Sequence, residues 1–135
     1  MVVALLISAM SIRVVRLGSP RAPDEGVRFG TVRRPPRGVP KSQFAAQNWY
    51  DVWLPNLAPS DELFRAIKLG RVSWATYTRR YFAEMRKPDA ARLLDALAAL
   101  SHSANFSLGC YCEDEDRCHR SLLRRLLKER GAAIV

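Results

Sequence analysis

From Ser11 to Leu17 the apolar positions Ile12, Val14 and Leu17 are set among arginines, which predicts a strand with one buried face. The turn formers that crowd Gly18 to Gly26 predict a loop. Val27 to Val32 reads as a second short strand, paired with the first or close to it. Pro35 and Pro36 fix their own φ and restrict the residues before them, so Arg33 to Lys41 is expected to be a rigid basic loop.

The periodicity then changes from two to nearly four. Ser60, followed by Asp61 and Glu62, is a helix start, and the helix is expected to run to about Lys68 and stop near Gly70. A second helix, roughly Ser73 to Met85, places Trp74, Tyr77, Tyr81 and Met85 on one stripe. A third follows Pro88, with Leu93, Leu94, Leu97 and Leu100 as its expected buried side. Trp49, Tyr50 and Trp53 are expected to pack the helical segment over the sheet, and His102 to sit exposed in a loop. Phe106 to Cys112 is short and apolar enough to be a central strand. An acidic loop, Glu113 to Asp116, leads into a last helix from about Arg117 to Arg130, closed by Gly131. Ala132 to Val135 reads as a final edge strand.

Strands separated by helices predict an α/β fold. The expectation is one small domain spanning residues 1–135, with a mainly parallel sheet of three to four strands, covered on both faces and flanked by helices. The apolar run Met1 to Met10 falls well short of the about 20 residues that a spanning helix needs. It also lacks the charged start of a signal sequence, and Arg13 and Arg16 follow at once. It is read as a buried strand or as an extension (residues 1–11) ahead of the first strand, and no membrane segment is expected.

Composition adds two points. Three cysteines, all between Cys110 and Cys118, are an odd and clustered count. That argues for reduced thiols and a cytoplasmic location rather than a secreted disulfide framework. The formal charge of +9 is uneven: residues 1–41 hold eight Arg and Lys against Asp24 and Glu25, so that segment carries +6 of it. This asymmetry suits an anionic partner, a phosphorylated small molecule or nucleic acid, and equally suits a plain solvated surface. No aromatic platform interleaves the arginines as single-strand binders require.

Chemistry concentrates at the last strand-to-helix turn. In parallel sheets, ligands sit beyond the carboxyl ends of strands, at the starts of the following helices. Cys112 is placed there at the strand end, sharing a face with Cys110, and Cys118, His119 and Arg120 open the helix. On that helix Cys118 and His119 lean toward the core, and Arg120 is expected to face solvent or a cleft.

The order of several segments resembles the DUF488 family, in its short, YeaO-like branch. Gly26-Val-Arg28 with Pro36-Arg37-Gly38 and Lys41 is similar to "DGxR…WPRG…K". Trp53, Leu57 to Ser60 and Glu62-Leu63 are similar to "W…LAPS.EL", and Trp74, Tyr77, Arg80-Tyr81 and Glu84-Met85 to "W..F..RY..EL". Cys110-Tyr-Cys112 with Cys118-His119-Arg120 is similar to the "C…CHR" ending of the wider family. The resemblance covers about residues 12 to 130 and implies an α/β fold without an established reaction. Val32 and Pro35 stand where the branch usually has Asp and Trp, and Cys118-His119 where it often has Asn-His.

Four readings of the turn stay open. Cys110 and Cys118 are small core residues, with His119 bonding a neighbouring carbonyl. Alternatively, the helix start with His119, Arg120 and the loop residues Arg33, Arg37 and Lys41 grips an anion, although four adjacent acids would oppose phosphate. In a third reading Cys112 and Cys118, with His119, form a nucleophilic or redox site. In the last, C-x-C-x5-C-H holds zinc as a structural turn, although neighbours such as Cys118 and His119 rarely both reach one tetrahedral ion. No metal ligand and no cofactor is assigned. The leading expectation is a small enzyme for a phosphate-containing substrate, and the alternative is a basic nucleic-acid-binding domain without catalysis.

Overall fold

Phe106–Cys110 carries no charge, and all five residues are buried. In the computed structural model, which describes residues 10–135, this segment is β4, the strand between two others in a four-stranded sheet. The others are β1 (Ile12–Arg16), β2 (Val27–Gly30) and β3 (Val52–Trp53), and the order across the sheet is β1-β4-β2-β3. Every pairing is parallel. The second strand is therefore near the first but does not pair with it, because β4 is inserted between them. The expectation for residues 1–9 falls outside the described residues. Beyond the named strands, Ile134 bridges Ile12 in parallel, so the expected last strand is reduced to one bridge beside β1.

Among the described residues four helices accompany the sheet: α1 (Asp61–Lys68), α2 (Trp74–Met85), α3 (Pro88–Leu100) and α4 (His119–Glu129). Their starts follow the local chemistry. Ser60 accepts from the Leu63 N–H at 3.2 Å, Ser73 accepts from the Thr76 N–H at 3.1 Å, and Pro88 occupies the first turn of α3. Glu84 of α2 accepts from the Ser60 N–H at 2.8 Å and from its hydroxyl at 2.5 Å, tying the start of α1 to the next helix. Gly131, at φ +78°, closes α4 as expected. Among the described residues, no helix is long and apolar enough to cross a membrane.

The two faces of the sheet are covered differently. Alternation along β4 sends Phe106 and Leu108 to one face, where they join Ile12 and the buried stripes of all four helices. Ser107 and Gly109 point the other way, into a layer made of loops. There Leu17 lies over Gly109, and the Tyr50 ring lies over Gly30. A Cβ at Gly109 would come within 2.5 Å of Leu17, and one at Gly30 within 2.4 Å of Tyr50, so only glycine admits this close approach.

Arg28 anchors the loop layer. Its side chain has no exposed surface, and it donates to both carboxylate oxygens of Glu25 at 2.7 and 3.0 Å. Further bonds run to the carbonyls of Ser19 at 2.9 Å, Asn48 at 2.7 Å and Pro20 at 3.4 Å. Ser107 on β4 donates to Glu25 at 2.7 Å. Burial works to raise the Glu25 pKa. The hydrogen bonds from Arg28 and Ser107, with the Arg28 charge, outweigh it and hold the carboxyl at about 2.

Several expectations are corrected. The last strand stops at Cys110, and Cys112 lies beyond it in the turn. The helix starts at His119 rather than Arg117, because Glu115–Arg117 forms a 3₁₀ turn and Cys118 is extended. Leu100 is exposed at the final turn of α3, on the rim of a shallow apolar groove with Val27, Phe29 and Ala104, and Ala90 and Ala98 take inner places with Leu94 and Leu97. Trp49 and Tyr50 pack the loop layer rather than the helical segment. Trp53 is exposed on the edge strand, with its indole N–H on the Val32 carbonyl at 2.7 Å. His102 is exposed, as expected, and its Nε2 lies 2.8 Å from the Gly131 carbonyl oxygen.

Arg28→Met is expected to lower the unfolding free energy in urea by about 3–5 kcal/mol, since it strands a buried carboxylate. Arg80→Met, which removes an exposed pair with Glu62, is expected to cost less than about 1 kcal/mol. A carboxyl held below its ordinary value contributes stability above that value and loses it as pH falls. Glu25→Gln is therefore expected to flatten the stability profile between pH 4.5 and about 2, by on the order of 3 kcal/mol. Identical profiles for the two proteins contradict the assignment.

Candidate thiol site

The site is built by the exit from β4 and the entrance to α4. Cys110 is the last buried residue of β4, Cys112 is exposed two residues on, and Cys118 is the buried residue before α4. The intervening acids are used to fold the turn back. Glu115 pairs with Arg124 at 2.5 Å, Glu113 with Arg16 at 3.4 Å, and Asp114 accepts from the Asp116 N–H at 3.0 Å. Once the turn is folded, the three sulfurs lie within 4.8 Å of one another. Cys110 and Cys118 are the tightest pair, with their sulfurs 2.7 Å apart.

His119 is fixed from the sheet side. Its Nε2 lies 2.8 Å from the Thr31 carbonyl, an acceptor only, so Nε2 carries the proton. Nδ1 is left as a lone pair, 3.6 Å from the Cys118 sulfur. Thr31 is held in turn by its N–H on the Gly109 carbonyl at 2.8 Å and its hydroxyl on the same oxygen at 3.0 Å. On the helix side, the ring of Trp74 stacks on Tyr77 at 5.0 Å, Tyr77 on Tyr81 at 6.3 Å, and Tyr81 leans on His119 at 5.7 Å. Tyr81 donates to the Leu57 carbonyl at 2.7 Å. Burial among these groups lowers the His119 pKa to about 4, so the ring is neutral near pH 7.

Arg120 departs from the expectation that it faces solvent. It is buried, its Nη2 donates to the Cys112 carbonyl at 2.5 Å, and its buried Nε–H has no oxygen or nitrogen partner. Burial works to lower its pKa, and the neighbouring sulfurs of Cys110 and Cys118 outweigh that and raise it. Placing Arg120 inward lets one side chain clamp the turn and supply the cluster with a positive charge.

The sulfurs share protons unequally. Hydrogen bonds from Cys110 and Cys118 lower the Cys112 pKa strongly, and the Arg120 charge acts in the same direction. Cys110 is pushed up by donating to Cys112 and Cys118 and by burial. For Cys118 a hydrogen bond from Cys110 lowers the pKa, but donation to Cys112 and burial outweigh it and push it up to about 11. Negative charge in the cluster is therefore favoured at the exposed Cys112 sulfur over the two buried ones.

The basic loop is only partly gathered here. The Tyr111 hydroxyl donates to the Arg34 carbonyl at 2.8 Å, so the loop is tied to the residue before Cys112. Arg33 turns away: it donates to the carbonyls of Ala58 and Pro59, on the rim of a cavity of about 600 Å³ whose lining includes Asn56, Ser60, Glu84 and Lys87 and none of the cysteines. Arg34 pairs with Asp61 at 3.0 Å. Arg37 and Lys41 are exposed. Among the described residues neither of these two forms an ion pair. Thr31, Tyr77 and Tyr111 are site neighbours that the sequence reading missed. Thr31 carries no motif of its own and is brought to His119 only by strand register.

The family model DUF488-N3a, described as the active DUF488-N3 subclade, matches residues 12–131. The chain belongs to this family. This DUF488-N3a chain is 32% identical over 88 residues to the uncharacterized protein YeaO of Escherichia coli strain K12, a match covering 64% of this chain and 73% of that protein. No solved structure matches the chain. The parallel sheet with its helices bears out the α/β fold that the resemblance implied.

Tyr111→Phe removes the hydroxyl tether between turn and loop at a cost of about 1 kcal/mol. Trypsin is expected to cut after Arg37 several times faster in this variant under native conditions. Unchanged cleavage would mean that the loop is held by other contacts.

Proposed function

We propose that this DUF488-N3a protein is a small enzyme that uses the Cys112 thiolate as a nucleophile on a phosphate-containing substrate, a nucleotide or nucleic acid. One observation carries the reading. The exposed sulfur of the cluster is backed by two buried thiols and a buried guanidinium, an arrangement that stabilises negative charge where a substrate can reach it. The roles follow from position. Cys112 attacks, Cys110 and Cys118 donate to its thiolate, Arg120 holds the turn and the charge, and His119 fixes the start of α4. Arg37 and Lys41 are the cations free to meet phosphate at the loop tied to Tyr111. The acids of the turn oppose this less than their number suggests, since Glu113 and Glu115 are paired with arginines.

Iodoacetamide labelling followed by peptide mass analysis tests the reading. Cys112 is expected to react at neutral pH at least tenfold faster than Cys110 and Cys118, and Arg120→Gln to slow it about tenfold. A nucleotide or a short oligonucleotide at low salt is expected to protect Cys112. The protection should fade as salt rises and be absent in the Arg37→Glu/Lys41→Glu double variant. Labelling at the rate of an ordinary free thiol removes the nucleophile. Fast labelling without protection by any phosphate compound removes the substrate class.

A further inference from the structure

We propose that Cys110, Cys112 and Cys118 together form a binding site for one thiophilic divalent cation of the zinc type, held by three sulfurs with its fourth position open to solvent. The inference adds a regulator to the thiol reading above and depends on that reading for its consequence, not for the binding itself.

Spacing is the first argument. A tetrahedral zinc stands about 2.3 Å from each thiolate, which sets its sulfurs about 3.8 Å apart. The three sulfurs here already lie within 4.8 Å of one another. The Cys110–Cys118 contact of 2.7 Å has to open by about 1 Å, and Cys118, in the extended residue before α4, stands at the end of a short 3₁₀ turn rather than inside a helix.

Ligand chemistry is the second. The group is all sulfur, which selects soft cations over magnesium or calcium. Three of the four carboxylates of the turn are already engaged, Glu115 by Arg124, Glu113 by Arg16, and Asp114 by a backbone N–H. The objection from sequence, that Cys118 and His119 cannot both reach one ion, also falls away. His119 gives its Nε2–H to the Thr31 carbonyl and is not needed as a ligand.

Charge and access complete the case. Three thiolates around a divalent cation carry a net −1, and the buried guanidinium of Arg120, facing Cys110 and Cys118 with its Nε–H unpartnered, offsets it. Cys112 is exposed, so a cation reaches the cluster without unfolding the turn, and a water fills the open position. On binding, three sulfur–metal bonds form, and any thiol still protonated gives its proton to solvent. The Cys112 lone pairs are then engaged, and the sulfur is no longer a free nucleophile.

Cobalt(II) added to metal-free, untagged protein is the test. The expected result is a thiolate-to-cobalt charge-transfer band in the near ultraviolet that saturates at one equivalent and disappears when zinc is added. Cys112→Ser changes an exposed side chain, so the fold is retained, as circular dichroism will check, and the variant is expected to lose the band or bind at least tenfold more weakly. Buried Cys118→Ser is a secondary variant, because its fold is at greater risk. A wild type without the band, or a band unchanged in Cys112→Ser, overturns the proposal. Zinc is also expected to slow Cys112 alkylation at least tenfold. If cobalt binds but the metal-free Cys112 labels like an ordinary thiol, the site stands and the nucleophile falls. Fast labelling with no cobalt band gives the reverse.

Discussion

Arg28 is a guanidinium taken wholly out of water, and such a charge is tolerated only when its donors find acceptors. Meeting that demand organises half the protein. Its bonds to Glu25 and to the carbonyls of Ser19, Pro20 and Asn48 draw two separate loops onto the face of the sheet that no helix covers. Asp51 accepts from the Arg28 N–H at 2.8 Å and pairs with Arg21 at the same distance, closing the second loop onto the first. With those loops in place, Tyr50 seals Gly30 and Trp49 lies against Tyr111, its ring centroid 6.0 Å away. Tyr111 is the residue between Cys110 and Cys112. The loops that Arg28 holds thus reach the thiol turn through the contact of Trp49 with Tyr111.

A second buried arginine makes the contrast that gives the site its character. Arg28 has a carboxylate of its own, and Arg120 has none. Its hydrogen-bond acceptor is the Cys112 carbonyl, and its Nε–H is left without one. Leaving a buried charge uncompensated costs several kcal/mol. Converting one thiol of the cluster to thiolate supplies the missing negative charge, and it does so where two other thiols stand ready to donate. The start of α4 adds its positive end to the same region. These terms agree in sign, and only burial opposes them. Burial is weakest at Cys112, the exposed sulfur, so the charge collects there.

What was legible in the sequence tracks which residues act locally. Ser60, Ser73 and Gly131 mark helix ends through bonds or φ values confined to neighbouring residues, and each lies where the sequence placed it. The central strand was legible because its apolar run is short and flanked by turn formers. The inward lean of His119 followed from helical spacing, whereas Cys118 is buried from the extended residue before the helix. The side of the sheet that Tyr50 covers, the burial of Arg120 and the part played by Thr31 depend on register and on which loop crosses which face. No local pattern encodes these. The parallel order β1-β4-β2-β3 brings residue 31 beside residue 119, and a reader of the chain sees 88 positions between them. The motif order that resembled the family was legible as a pattern, while the reason for its Arg28 became visible only with the buried pair.

The same distinction revises the weight of the basic segment. Counted along the chain, residues 33–41 are one cluster of four cations. In three dimensions the cations divide: Arg33 satisfies two carbonyls, Arg34 balances Asp61, and Arg37 and Lys41 remain free to contact an anion. A phosphate drawn to the loop therefore meets two exposed, hydrated charges rather than four converging ones, which favours a weak, salt-sensitive approach over tight capture. The acids divide in the same way, since Glu113 and Glu115 are partly cancelled by Arg16 and Arg124. Neither sign of charge dominates the mouth of the site. What distinguishes it is the one feature that neither charge run predicted: three sulfurs held together over a buried guanidinium.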